Sequence, residues 1–329
     1  MSDAAESVQV TTGARLHFGL FDTKSPFGGV GMMIDAPATR VRVEPAASFD
    51  PGTTDPERLT QIAASFSQLA TRNSPLATRN SSLPDCRLTV ERTTPPHCGL
   101  GSGTQLALAT ALALARFQGL DQQLSRAELV EQLARRGRRS AIGSLGFFTG
   151  GLIWEDGLTR HFGDSESDRD SDETWRVEPP ADWRVVLLRP LETPSPCSGE
   201  AERRAFETIP AAGKATRERL RTLGLAIIES CRAAEFTRFA ESLTEFNRRS
   251  GELFASLQGG PYNGPPVTQL IERVRDAGGT AYGQSSWGST VFACCPTPQA
   301  AEQLAADLAP TAHHQIAKPQ NNGATIEIE

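Results

Sequence analysis

Between Pro95 and Gly119 the chain reads PPHCGLGSGTQLALATALALARFQG, a glycine-rich turn that runs straight into an apolar segment of helical length. Gly99, Gly101 and Gly103 let the backbone curl, and Ser102 and Thr104 place hydroxyls among them. From Leu106 to Ala115 only Thr110 is polar, so a helix there is buried nearly all round. The first amides of such a helix have no intrahelical acceptor, and its dipole favours an anion at that end, most often a phosphate. Gly99, Leu100, Gly101, Ser102, Gly103 and Thr104 are therefore the expected phosphate-binding set. The same glycines also suit a tight turn that serves backbone geometry alone.

The loop fits neither common nucleotide fingerprint. A dinucleotide-binding turn needs G-x-G-x-x-G followed by an acidic residue on the next strand, and Gly99–Gly103 has the wrong spacing. A Walker loop needs a lysine between its last glycine and the hydroxyl residue, and Gly103 is followed directly by Thr104.

The elements that must position this loop alternate irregularly. Strands are predicted over Val8–Phe21, Val30–Asp35, Ala38–Pro45 and Cys86–Arg92, with a helix over Pro56–Leu69. Asp55 is the expected N-cap of that helix. Ser125 and Glu128 form a capping box at the start of a second helix, Ser125–Arg136. The heptad LATRNSP at Leu69–Pro75 recurs as LATRNSS at Leu76–Ser82 and reads as a duplicated surface loop. The acidic segment Asp164–Glu173 precedes a buried strand, Trp183–Arg189, so a boundary falls near residue 180. Four candidate helices follow, then the glycine-rich turn of Gly278–Ala293, a short helix and a terminal strand, Ala324–Glu329. The pattern predicts an α+β protein of two domains, 1–180 and 181–329, rather than a doubly wound sheet.

Composition narrows the function. With 329 residues, a net charge of −6 and 22% charged residues, the chain has no basic field for nucleic acid. No apolar run reaches membrane-spanning length, and the N-terminus lacks a signal-peptide pattern, so the cytoplasm is the expected compartment. The six cysteines have no framework spacing and read as reduced thiols, with adjacent Cys294 and Cys295 on opposite faces of a strand. Neither cysteines nor histidines show metal-ligand spacing. Oligomeric state is left open between monomer and homodimer.

Pro95-x-x-x-Gly-Leu-Gly-Ser-Gly103 resembles the second motif of the small-molecule kinase superfamily that includes galactokinase, homoserine kinase and mevalonate kinases, the GHMP superfamily. That resemblance implies a two-domain fold, with a ribosomal-S5-like N-terminal domain and a ferredoxin-like C-terminal domain. Three further stretches narrow it: Arg15-Leu-His17-Phe-Gly19-Leu-Phe-Asp22, the turn Gly28-Gly29-Val-Gly31 leading to Ile34-Asp35, and Gly283-Gln284-Ser285-Ser286-Trp287-Gly288. Together they are similar to the β-ribofuranosylaminobenzene 5′-phosphate synthases, a non-kinase branch of the superfamily in tetrahydromethanopterin biosynthesis. The resemblance implies condensation of phosphoribosyl pyrophosphate with 4-aminobenzoate, or with 4-hydroxybenzoate in some relatives, releasing carbon dioxide and pyrophosphate. It implies Mg²⁺ with unassigned ligands, small-molecule partners only, and no organic cofactor.

The alternative is an ATP-dependent kinase of a small alcohol. The kinases resembled here commonly carry an Asp seven residues before a Gly-Gly pair, where it takes the proton of the attacking hydroxyl. Counting back from Gly150 gives Gly143, which has no side chain. In the synthase reaction a ring carbon attacks, and that atom carries no proton for a base to remove. The missing Asp is thus compatible with the synthase and awkward for a kinase.

The resemblance also distributes roles. Asp22 is expected to be catalytic, at Mg²⁺, at the developing ribosyl cation or at the amine; turn capping is its other reading. Arg15 and His17 share one face of a strand and could meet a carboxylate or phosphate. His97, Gly28, Gly29, Gln284, Ser285, Ser286 and Trp287 are expected at the substrate, Trp287 by stacking on its ring. The family often has an arginine before its Gly-Gly pair, where this chain has Phe27, which leaves Arg138 or Arg139 as substitutes for binding the substrate carboxylate.

Overall fold

The computed structural model describes residues 7–73, 83–135, 140–157, 176–192, 204 and 206–329. The second copy of the heptad, the acidic segment, Cys197, Arg138 and Arg139 lie outside the described residues.

The first sheet is built on a long antiparallel pair, β1 (Val8–Leu20) and β2 (Gly29–Pro45), joined by the turn that carries Asp22. β2 also pairs with β3 (Cys86–Arg92) and with β4 (Leu152–Glu155), and β4 pairs with the short β5 (Arg176–Val177). β2 is long enough to take β3 along one half and β4 along the other. Alternation along β2, and a register shift between Thr12 and Ala14 in β1, send side chains to two different cores. Val10, Val41, Val43 and Leu88 pack under α1 (Pro56–Asn73) and the apolar α2 (Ser102–Phe117). Leu16, Phe18, Val30 and Met32 pack on the opposite side.

The predicted burial of α2 holds: Gln105–Ala111 and Ala113–Ala115 are all buried. The capping box also forms, with the Ser125 amide donating to Glu128 Oε2 at 2.8 Å and the Glu128 amide to Ser125 Oγ at 3.2 Å. The turns that follow, Glu128–Leu133, are π-helical rather than α-helical. Then comes α3 (Ile142–Thr149).

The second sheet has the order β7 (Tyr282–Gln284), β8 (Val291–Cys295), β6 (Arg184–Pro190), β9 (Ala312–Ala317), all antiparallel. In chain order this is β-α-β-β-α-β, the ferredoxin-like arrangement expected from the resemblance. One face packs on α6 (Gly264–Asp276) and α7 (Pro298–Leu308) through Val186, Leu188, Val291 and Cys295. The other face, with Val185, Leu187, Phe292 and Cys294, shares a core with β1 and β2 by way of α4 (Lys214–Arg232) and α5 (Phe236–Glu252). Cys294 and Cys295 thus do point to opposite faces, and the five described cysteines are free thiols.

The terminal strand β10 (Thr325–Ile328) lies beyond the 180/181 boundary in sequence but pairs with β1 in the first sheet. The chain therefore ends by returning to its beginning. Among the described residues no helix is long and apolar enough to cross a membrane.

Candidate active site

The glycine loop takes the shape that its composition requires. Gly99 (φ +89°) and Gly101 (φ +74°) are in the left-handed region, and a Cβ on Gly99 would stand 2.1 Å from the Ser285 carbonyl oxygen. The Gly103 carbonyl accepts from the Arg58 guanidinium. At the start of α2 the amides of Thr104 and Gln105 turn back to the Gly101 carbonyl, at 2.9 and 3.1 Å. The amides of Ser102 and Gly103 have no acceptor among the described residues. Two N–H groups at a helix N-terminus are thus left for an anion.

β1 lies directly beneath the loop. The Arg15 amide donates to the Leu100 carbonyl at 3.0 Å, and its guanidinium reaches the Gly99 carbonyl at 3.5 Å. A Cβ on Gly101 would stand 3.3 Å from Arg15 Nε, so this cation is packed against the loop. Two residues along the same face, His17 is buried. Burial, reinforced by the Arg15 charge, holds its pKa well below the ordinary imidazole range, and the ring is neutral at pH 7. Its Nε2 meets Ser140 Oγ at 3.2 Å, and Ser140 in turn donates to Glu155 Oε2 at 3.2 Å.

The turn Gln284–Gly288 closes the loop from the second domain. Ser285 Oγ accepts from the His17 amide at 3.1 Å and donates to the Gly99 carbonyl at 2.8 Å, so this hydroxyl latches strand, loop and turn together. The Ser286 amide donates to the His17 carbonyl at 3.1 Å. Gln284 is held at both ends, accepting from the Asn263 amide and donating to the Ser286 carbonyl, each at 2.6 Å.

β1, the Gln284–Gly288 turn and, from the glycine loop, Thr104 alone border a cavity of about 360 Å³, within the range for a small-molecule site, while Gly99, Gly101, Ser102 and Gly103 lie behind its lining. Its polar lining includes Arg15, His17, Thr104, Arg135, Ser140, Gln284 and Ser286. Its aromatic wall is Phe206, Phe254 and Trp287, with Trp287 centred 5.2 Å from Phe206 and 4.9 Å from Phe254. Cations and an aromatic wall in one cavity suit a ligand that carries both an anion and a flat ring.

Several expected residues sit elsewhere. Asp22 lies outside the cavity lining, buried at the turn after β1. Its Oδ1 accepts from the amides of Thr23, Ala212 and Lys24, and its Oδ2 accepts from Arg217 Nη1 at 2.9 Å. Burial alone would raise its pKa, but the Ala212 amide, Arg217 and the turn amides outweigh that and hold it below the ordinary carboxylate range. Its placement matches the turn-fixing reading. Gly28 (φ +58°) and Gly29 shape the same hairpin, where a Cβ on either would meet backbone oxygen within 3 Å. His97 is exposed, with φ +59°, and does not line the cavity. Ser285 and Leu100 are buried latches rather than lining.

Five contributors escaped the sequence reading: Ser140, Glu155, Arg135, Phe206 and Phe254. A signal for Glu155 was present, since a carboxylate closing the apolar strand LIWE needs a partner when buried. For Arg135 and Ser140 there was none, because only tertiary packing brings them to the cavity.

Among the described residues Mg²⁺ finds no protein cradle: they place no carboxylate in the cavity lining, and no cluster of three or more His, Cys, Asp or Glu among them could hold an ion. The Asp22 carboxylate is already committed to Arg217 and three amides.

With the geometry established, comparison with known proteins settles the family. The model of the GHMP kinase N-terminal domain matches residues 61–148, and that of the GHMP kinase C-terminal domain matches residues 227–313. The chain belongs to the GHMP kinase superfamily. It is 28% identical to a β-ribofuranosylphenol 5′-phosphate synthase of Methanothermobacter thermautotrophicus, over 86% of this chain and 87% of that one. A synthase of the same name from Archaeoglobus fulgidus is 27% identical, over 56% of this chain and 57% of that one. The synthase resemblance read from the sequence is thereby borne out. Among solved structures, a putative sugar kinase from Campylobacter jejuni has the same fold, with a TM-score of 0.67, 12% identity and full coverage of both chains.

Proposed function

We propose that the chain joins the ribosyl C1 of phosphoribosyl pyrophosphate to the ring of a para-substituted benzoate, releasing carbon dioxide and pyrophosphate. The observation that carries this reading is Gly143. A Cβ there would lie 3.5 Å from Arg15 Nε and 3.6 Å from Thr104 Cγ2, so position 143 faces the loop and its neighbouring cation. The kinases resembled here commonly carry a base at this place, and Gly143 supplies none.

In the proposed chemistry the C1–O bond breaks, the pyrophosphate takes the electron pair, and the ring carbon bearing the carboxylate forms the new C–C bond. Loss of carbon dioxide then returns the electrons of its C–C bond to the ring. The Ser102 and Gly103 amides, with Arg15 and Arg135, supply donors for phosphate oxygens as charge builds on the leaving group. Phe206, Phe254 and Trp287 supply the surface for the aromatic acid. Mg²⁺ enters as the magnesium complex of the substrate pyrophosphate. The relatives' names, which specify a phenol, favour 4-hydroxybenzoate over 4-aminobenzoate.

The test is incubation with phosphoribosyl pyrophosphate, Mg²⁺ and carboxyl-labelled 4-hydroxybenzoate or 4-aminobenzoate. Labelled carbon dioxide, formed only when phosphoribosyl pyrophosphate is present, is the expected result. ATP-dependent phosphorylation of a small alcohol, with no carbon dioxide from either acid, would replace this reading with the kinase.

A further inference from the structure

His17, Ser140 and Glu155 come from three separate elements and form one hydrogen-bonded chain in the wall of the cavity. The proton positions in that chain follow from counting donors. Glu155 Oε2 accepts from the Ala141 amide at 2.8 Å and from Ser140 Oγ at 3.2 Å. A serine hydroxyl has a single hydrogen, and here it is committed to the carboxylate. Ser140 Oγ can therefore only accept from His17 Nε2, so the Nε2 nitrogen carries the imidazole proton. In the neutral ring the lone pair is then on Nδ1. That atom has no hydrogen-bond partner among the described residues, and His17 lines the cavity.

A buried neutral imidazole in a cavity wall, fixed in one tautomer by a carboxylate and with no such partner on its other nitrogen, is arranged as a base. The pyrophosphate leaves with its own electron pair, and the attacking carbon has no proton to lose. A phenolic acid does carry a proton whose removal matters. With the hydroxyl ionised, the oxygen pushes electron density to the para carbon, where the carboxylate sits and the ribosyl bond forms. An aromatic amine pushes its lone pair without losing a proton first.

We infer, resting on the reading above, that His17 takes the hydroxyl proton of a phenolic acid at Nδ1 and returns it after decarboxylation, with Ser140 and Glu155 as positioning residues. The balance closes. The O–H pair becomes an oxygen lone pair that moves into the ring as the C–C bond to C1 forms, giving a dienone that still carries the carboxylate. The bond to the carboxylate breaks, its electrons restore the aromatic ring as a phenolate, and the phenolate recovers the proton from His17. No proton is consumed over the cycle. The charged groups that share this cavity or relay are Arg15 and Arg135, which disfavour the imidazolium, and Glu155, which favours it through Ser140.

The experiment compares Ser140→Ala with the unaltered enzyme on carboxyl-labelled 4-hydroxybenzoate and 4-aminobenzoate. Removal of the link should lower kcat for the hydroxy acid by about 10–100-fold, and by at least ten times more than for the amino acid. A ring-fluorinated 4-hydroxybenzoate, whose hydroxyl ionises more readily, should recover much of the loss, and Ser140→Thr should restore the rate. Equal losses on both acids, or no recovery with the fluorinated acid, overturn the relay while leaving the transferase reading in place. No carbon dioxide from either acid in the unaltered enzyme overturns both. An assay-independent check is ¹⁵N NMR of the histidine-labelled enzyme: a protonated Nε2 and a bare Nδ1 on His17 are expected, and the opposite tautomer ends the proposal.

Discussion

Arg217 Nη1 donates to Asp22 Oδ2 at 2.9 Å, which ties the turn after β1 to the first turn of α4 in the second half of the chain. The Ala212 amide meets the other oxygen of the same carboxylate at 2.9 Å. One buried side chain thus fixes both the hairpin and the chain entering α4.

Asp22→Asn should therefore affect stability more than chemistry. The amide oxygen can still accept from Thr23 and Ala212, but the amide nitrogen would then face Arg217, donor against donor. Arg217 is partly exposed, which discounts the charge term, so the expected cost is about 1–2 kcal/mol. The rate per folded molecule should stay within about threefold of the unaltered chain, a difference of under 1 kcal/mol. A hundredfold fall in kcat without loss of melting temperature would return Asp22 to the chemistry.

His17 gives a stability signature on the acid side. Its pKa is depressed in the folded chain, so the unfolded chain binds the proton more readily. Stability from this group is fully present above the unfolded value of about 6.5 and is lost as pH falls from there toward the folded value. Denaturant midpoints between pH 7.5 and 5 should fall with decreasing pH, and His17→Asn should flatten that slope. An unchanged slope in the variant would mean that His17 titrates normally.

Two glycines of the loop should respond differently, although a sequence cannot tell them apart. Gly99→Ala forces a Cβ to within 2.1 Å of the Ser285 carbonyl, so the latch between the domains must open and folding yield should drop. Gly101→Ala meets only Arg15 side-chain atoms, at 3.2 and 3.3 Å, and can keep the fold. Its left-handed backbone costs about 1 kcal/mol in strain, and the displaced guanidinium should weaken phosphoribosyl pyrophosphate binding at least about tenfold. Calorimetry on both variants would decide, and unchanged affinity in folded Gly101→Ala would separate Arg15 from the ligand.

Much of this architecture was legible because it rests on local patterns. The Gly99–Thr104 loop entering an all-apolar helix could be read as a helix N-terminus with free amides, and it is one. The capping box and the opposed Cys294 and Cys295 followed from alternation and spacing in the same way, whereas the strands expected separately over Val30–Asp35 and Ala38–Pro45 are one, β2, which runs on through Pro37. What stayed hidden depends on contacts distant in sequence. Asp22 meets Arg217 across 195 positions, and His17 meets Ser140 across 123. The return of β10 to β1 was hidden as well, since nothing in TIEI names its partner.

Gly143 offers the sharpest division between transferase and kinase. It lies in the first turn of α3, with φ outside the left-handed region, so its backbone can accept a side chain. The nearest atoms to a Cβ are Arg15 Nε at 3.5 Å, Gln105 Nε2 and Thr104 Cγ2, both at 3.6 Å, all ordinary contacts. Gly143→Ala should then fold normally, gain up to about 1 kcal/mol from the stiffer helix backbone, and keep carbon dioxide release within about threefold. Gly143→Asp puts its Cβ in the same space and sets a carboxylate against Arg15 beside the phosphate loop. It would pair with that cation and repel the phosphate oxygens, so affinity for phosphoribosyl pyrophosphate should fall at least about tenfold, or 1.4 kcal/mol. Retained affinity in Gly143→Asp would place the phosphate away from Arg15. ATP-dependent phosphorylation of homoserine, mevalonate or a sugar, gained by that single change, would mean that the cavity is still a kinase site lacking only its base.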